Sequence, residues 1–261
     1  MLRALNSAAT GMEAQQMYID VTSNNLANVN TTGYKKVRAN FQDLMYQIQA
    51  APGGGTSQAT ETPSGIQIGL GVRTATTQKE FQTGSLKNTG NFLDVAVEGD
   101  GFFQITQPDG SIGYTRDGAF HLDENGALVN ANGFPLDPAI AVPIEVTAVT
   151  IGQDGTVTGQ TTAQSEPIQL GQIQIANFVN PAGLISAGGN IFKESGSSGP
   201  PIVGNPGENG FGTLNAGFLE MSNVAVVEEM IHLITAQRAF EFNSKAVQAA
   251  DGMLRELGQL R

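Results

Sequence analysis

At 261 residues and 27.3 kDa, with 40% apolar residues, the chain is long enough for one large domain or two modest ones. Its net charge of −11 is concentrated between residues 51 and 214, where five Lys or Arg face fifteen acids; this argues against a nucleic-acid partner, which needs a basic face. The absence of cysteine rules out a disulfide framework, a thiolate metal site and a thiol nucleophile.

No stretch reaches the roughly 18 apolar residues of a membrane span, so none is expected. MLRALNSAATGMEAQQ carries one Arg and no continuous apolar run before Glu13, which is not the pattern of a cleaved signal peptide. Leu2, Leu5, Ala9, Met12, Gln16, Ile19, Ser23 and Leu26 are spaced alternately by three and four. This predicts a long helix with a narrow coiled-coil-like seam. Few charges lie on the opposite face (Arg3, Glu13, Asp20), so the seam suits several helices packed together rather than one side buried and one side wet. The helical pattern then dissolves into amides at Asn24, Asn25, Asn28 and Asn30. Two readings fit the residues equally: a plain Asn-rich loop, or buried amides that fix register because each must find a partner in one alignment only. Gly33 is expected to supply a left-handed turn into a strand at Tyr34.

Residues 46–72 begin with Tyr46, pass through a glycine-rich tip at Gly53–Gly55 and return through Ile66, Ile68 and Val72. That is the pattern of a projecting hairpin. Beyond it the chain is punctuated by Asp100-Gly101, Asp109-Gly110, Asp117-Gly118, Asn125-Gly126 and Asn132-Gly133. Short runs such as FFQIT (102–106) and ALV (127–129) lie between, predicting antiparallel strands joined by two-residue turns with positive φ. Strand alternation continues to Val179, whereas Gly-, Ser- and Pro-rich residues 183–213 are expected to form a long ordered loop or a connector. After Leu219 a second helix is predicted, with Ser222 as its N-cap. Val226, Met230, Leu233, Gln237, Phe240, Ser244, Val247, Asp251 and Leu254 form its seam, widened by Ile231, Ile234, Ala250 and Leu257.

Enzyme chemistry finds little support. There is no G-x-S-x-G, no phosphate-binding G-x-x-x-x-G-K-[ST] and no H-E-x-x-H. His121 and His232 lie in different kinds of segment, and DENG at 123–126 lacks the alternating acids of a calcium loop. Nothing raises a carboxylate pair such as Asp117 and Asp123 above chance. No catalytic residue, metal site or cofactor is expected. The fold class is α+β: terminal helices forming a coiled-coil-like assembly core around an antiparallel all-β middle. Segments are placed at 1–45, 46–72, 73–214 and 215–261.

NNLANVNTTGYKK (24–36) closely resembles the signature of the bacterial flagellar rod and hook proteins, with Tyr34 for a more frequent Phe and Asn30 for a frequent Ser. SNV…EEMIHLITAQRAFEFNSKAVQAADGML (222–254) is similar to the other half of that pattern, and VEGDGFF and YTRDGAFHLDENGALVNANGFPL look like its β domain. The stretch TPSGIQIGLGVR is most like the distal-rod members. The resemblance implies a non-enzymatic subunit of the flagellar basal body, in the rod that crosses the periplasm and carries torque to the hook. It further implies that the terminal helices polymerise the chain with itself into a tube, with the β domain outside. Leu2, Leu5, Met12, Ile19, Leu26, Val226, Met230, Leu233, Ile234, Phe240, Val247 and Leu254 would then make assembly contacts, as would Asn24, Asn25 and Asn28, which bond to neighbouring subunits or cap the helix. Residues 46–72 (Tyr46, Ile66, Ile68, Val72) would stiffen the tube. Implied partners are neighbouring rod and hook proteins, the periplasmic and outer-membrane rings, and the flagellar type III export apparatus. The alternatives are a hook or proximal rod paralogue or, in another class, a secreted β-domain cell-wall-binding protein or enzyme.

Overall fold

A computed structural model describes residues 2–50, 55–57, 60–61, 64–161 and 164–259. The chain forms helices at both ends with antiparallel strands between them. It gathers into two compact units that each take up separated segments.

The first unit holds the terminal helices and residues Val37–Gln78. Helix α1 (Leu2–Ala27) and helix α2 (Val226–Gln259) pack on each other. Their buried apolar positions are small: Ala8 and Ala14 on α1, Ala236 and Ala250 on α2. At Gly11 even a methyl group would come within 2.9 Å of Asn243 Nδ2. The missing side chain at Gly11 allows this close approach. Between the helices in sequence runs one antiparallel ribbon. Strand β1 (Val37–Asp43) pairs with the strand Val72–Lys79, Tyr46–Ala50 pairs with Ile66–Gly69, and Gly55–Ser57 pairs with Thr60–Glu61. Leu44 N–H donates to Gly71 O at 2.8 Å, joining the first two rungs. The Tyr46 ring lies over Gly69, where a Cβ would meet it at 3.3 Å. Gly53 and Gly54 of the expected tip fall outside the described residues. The N-terminal segment read as running to residue 45 is therefore helical only to Ala27, and the first strand starts at Val37 rather than Tyr34.

The second unit contains Asn28–Lys36 and Lys79–Val224. Its main sheet has seven strands; the path runs Ile185–Gly188, Ile191–Lys193, Ile112–Thr115, Phe102–Thr106, Ile175–Asn177 and Ile202–Gly204, and Leu136–Asp137 also pairs with Phe102–Thr106. Both faces are covered. Phe103, Ile105 and Ile175 join one apolar cluster with Val95, Val97, Leu128 and Val157, while Phe102 and Ala176 join another with Tyr114, Phe178 and Phe192. Alternate residues of FFQIT therefore serve different cores, as the two-residue strand period requires. A three-stranded meander (Val146–Ile151, Thr156–Thr161, Gln164–Gln172) completes the unit, with two pairings near its end: Thr213–Ala216 with Val95–Glu98, and Phe218–Glu220 with Leu86–Asn88.

Three expectations need correction. Residues 183–213 are not a loop. Short strands at Ile185–Gly188, Ile191–Lys193 and Ile202–Gly204 enter the main sheet, because a three-residue strand between glycines leaves no compositional trace. The turns are not of the two-residue type. Gly110, Gly126, Gly133 and Gly155 do have positive φ, but each closes an i to i+3 hydrogen bond, as Gly110 N to Gln107 O does at 2.9 Å. Asn190 and Asn209 are the only described non-glycine residues with positive φ, so the central residues are right-handed: these are type I turns followed by a left-handed glycine. Gly118 has no positive φ at all; a Cβ there would lie 1.6 Å from Val95 O, so Gly118 is required by close packing. Finally, α2 begins at Val226. The Ser222 hydroxyl accepts from Val224 N–H at 3.4 Å, ahead of the helix, and does not cap it.

Candidate functional site

Asparagine 25 sits on the buried face of α1, and its side chain behaves like a strand residue. Its Nδ2 donates to Val37 O at 2.8 Å, and Val37 N–H donates back to its Oδ1 at 2.9 Å. The same Nδ2 reaches Glu229 Oε2 on α2 at 3.3 Å. One amide thus fixes the last turn of α1, the start of β1 and the first turn of α2. Tyr18, about two turns earlier, packs edge-on to His232 and Phe41. Burial, with Glu229 adding to it, raises the Tyr18 pKa. Thr10 accepts from Val72 N–H at 3.4 Å, tying the ribbon to the middle of α1.

In the second unit the other half of the signature is clamped by charge. Gly33 adopts φ 66°, and its N–H donates to Glu220 O at 2.8 Å. A Cβ at Gly33 would stand 2.6 Å from Asp117 N, so only glycine fits. Thr32 Oγ1 donates to Asp117 Oδ1 at 3.0 Å, and Asn190 Nδ2 donates to Thr32 O at 2.9 Å. Lys35, 1% exposed, donates to Gln82 O at 2.8 Å and forms a hydrogen-bonded ion pair with Glu220 Oε1, which also accepts from Gly84 N–H. Across the carboxylate, Arg116 Nη1 lies 3.5 Å from Glu220 Oε2 without a hydrogen bond. Its guanidinium stands over the Phe102 ring, 5.1 Å from the centroid. Burial lowers the pKa values of Lys35 and Arg116; Glu220 and Asp100 oppose that shift in both. Asp117 is raised, by burial first. Lys36 N–H donates to Asn223 Oδ1 at 2.7 Å, so the segments entering and leaving this unit are bonded residue by residue.

The expected assembly residues are distributed unevenly. Leu2 lies in α1. Leu5, Met12, Ile19 and Leu26 are half-buried, Asn24 is exposed, and Asn28 is half-buried with its Oδ1 accepting from Thr31. On α2, Val226, Met230, Ile234, Phe240 and Leu254 are exposed while Leu233 and Val247 are half-buried. Tyr46 and Ile66 are exposed; Ile68 and Val72 are half-buried. Asn25 bonds within its own chain, which a bare run of asparagines does not disclose. Sequence reasoning missed Lys35, Arg116, Glu220 and Glu229. Charged residues are ordinarily solvated, and a single sequence carries no signal for the exceptions.

Residues 5–35 match the family described as flagella basal body rod protein. Residues 96–159 match the flagellar hook protein FlgE/F/G D1 domain, and residues 215–260 match the flagellar basal body rod FlgEFG protein C-terminal. Across 97% of both chains the sequence is 49% identical to the flagellar basal-body rod protein FlgG of Borreliella burgdorferi. It is 47% identical to that of Buchnera aphidicola subsp. Schizaphis graminum and 41% identical to that of Bacillus subtilis, each over 100% of both chains. The chain belongs to the flagellar basal-body rod protein family. The two terminal matches of this rod-family chain contain Asn25, Lys35, Glu220 and Glu229, and the middle match contains Arg116. Each clamp therefore joins segments far apart in sequence: Asn25 with Glu229, and Lys35 with Glu220 and Arg116.

Proposed function

We propose that this rod-family chain is the structural subunit of the distal rod, polymerising through α1 and α2 into a rigid tube that transmits torque from motor to hook. The observation that carries this reading is the apolar surface left on α2. Val227, Met230, Ile231, Ile234, Phe242 and Met253 are all exposed although α1 already packs against the helix. A helix with a satisfied partner on one side and large apolar residues on the others is suited to further helices. The narrow seam predicted from sequence is only partly covered: Leu5, Met12, Ile19, Leu26, Leu233 and Val247 are half-buried and Leu254 is exposed, which leaves surface for the same packing.

The distal assignment, against a proximal rod or hook paralogue, is supported by end-to-end identity with FlgG proteins of matching length. In this reading the ribbon with Tyr46, Ile48 and Ile66 exposed lies against neighbouring copies and stiffens the tube, since a lone hairpin is marginally stable in water. Neighbouring rod and hook proteins and the basal-body rings complete its partners, and the flagellar type III apparatus exports it across the inner membrane into the periplasm. Ile234→Asp tests the proposal. The side chain is exposed in the single chain, so the isolated variant should keep its circular dichroism and melting temperature. Buried in a tube wall, the unpaired carboxylate should abolish rods and swimming. Normal swimming would overturn the helix-driven assembly.

A further inference from the structure

Lysine 79 is unlike the other partly or fully buried lysines of its unit. Lys35 is paired with Glu220, Lys36 with Glu80 and Lys193 with Asp109. Lys79 is half-buried, and among the described residues it has neither an ion pair nor a hydrogen bond. Two rings hold it instead: its Nζ stands 4.6 Å from the Phe192 ring centroid and 5.8 Å from that of Tyr34. Its pKa is lowered by burial, with no neighbouring charge contributing. An ammonium is strongly hydrated, so half-stripping it of water without supplying an anion leaves a site that favours one.

The ammonium opens into a cavity of about 150 Å³, lined also by Asn28, Ser186 and the turn at Gly188, Gly189 and Asn190. That volume admits a carboxylate side chain with a water or two, at roughly 30 Å³ per water. It is below the roughly 300 Å³ at which small-molecule sites begin. The lip is backbone rather than side chain at Gly188, where a Cβ would meet nothing within 4 Å, so an incoming side chain has a clear approach. The anions in reach are not in this cavity. Asp117 is engaged by Thr32 and by Ala119 N–H, Glu220 by Lys35 and Glu80 by Lys36.

Resting on the rod reading, we propose that this cavity receives an aspartate or glutamate side chain of a second copy of the chain, seated on the Lys79 ammonium between the Tyr34 and Phe192 rings. Charge complementarity selects that occupant. Residues 51–214 carry fifteen acids against five Lys or Arg, so each neighbouring copy presents carboxylates in excess.

The test is zero-length carbodiimide coupling of purified hook–basal bodies, and separately of the monomeric chain, followed by peptide mass spectrometry. The expected result is an amide between Lys79 and an Asp or Glu of this same chain in assembled rods, absent from the monomer. Lys79→Arg, which keeps the cation, should assemble normally, and Lys79→Glu should lower rod yield at least tenfold while the monomer keeps its melting temperature. Lys79 left uncoupled while other copy-to-copy amides form would overturn the cavity proposal and leave the rod reading standing. Coupling of Lys79 to a different protein, or within the monomer, would overturn it too. No copy-to-copy amide anywhere would sink the rod reading and the proposal with it.

Discussion

Replacing Glu220 by Gln removes the one carboxylate that lies between two buried cations. The side chains of Lys35, Arg116 and Glu220 are each at most 1% exposed, so water cannot compensate. Glutamine still offers an acceptor to Lys35 and to Gly84 N–H, but its amide hydrogens would point at Arg116, where Oε2 now faces Nη1 at 3.5 Å. Breaking a buried pair from one side costs about 3–5 kcal/mol. Against a total stability of roughly 5–15 kcal/mol, that brings the second unit near its unfolding limit. With a urea slope near 2 kcal/mol/M, the midpoint should fall by about 2 M. Lys35→Met is the informative comparison. It leaves Glu220 balanced by Arg116 and orphans Gln82 O, so it should cost about 1–3 kcal/mol. In the double variant one of the two stranded cations is gone, and its loss should be smaller than the sum of the singles by at least about 1 kcal/mol. Urea unfolding followed by far-UV circular dichroism measures all three. A Glu220→Gln loss under about 1 kcal/mol, or strict additivity, would refute the view that the charges act as a unit.

Gly33→Ala forces a side chain into the left-handed region and onto the Asp117 backbone, so it should cost at least ~2 kcal/mol in the same assay. Asp117 tests a pH dependence. Its folded pKa is raised above 3.8, so between those values the folded state binds the extra proton; wild type should gain stability relative to Asp117→Asn as pH falls through that window, and a constant difference from pH 7 to 4 would contradict it. Deleting residues 50–66 removes the outer ribbon while leaving β1 and its partner; export and polymerisation should persist, with electron micrographs showing curved or flexible tubes in place of straight rods.

Much of the fold was legible because long, periodic elements dominate local choice. The helices could be read from the three-four spacing around Ile19 and Ile234, and the ribbon from the alternation of Ile66 and Ile68. The β unit could be read from Asp- and Asn-glycine pairs, although not the type of turn they make. That type depends on the φ of the residues before each glycine, which the dipeptide leaves open. What stayed hidden was decided by burial. Asn25 and Asn24 are adjacent and chemically identical, yet only Asn25 faces Val37 and Glu229. Likewise Lys35 is buried and Lys36 lies nearer the surface, although the two are adjacent and chemically identical. Leu and Ile spacing marks the helices, but it is Gly11 that lets α1 approach Asn243 of α2, because close approach needs missing atoms rather than apolar ones.

The use of charge at the ends of the second unit follows from the same geometry. Where the chain enters at 28–36 and leaves at 218–223, an apolar contact would serve almost as well in neighbouring registers, since burial is not directional. Lys35 must reach Gln82 O and Glu220 together, while Gly33 N–H must meet Glu220 O and Lys36 N–H must meet Asn223. A slip of one residue would reverse each side chain and bury at least one charge alone. A subunit loaded through its two ends would peel first where the chain enters and leaves. Fixing both crossings to one carboxylate means that neither can move without stranding the other.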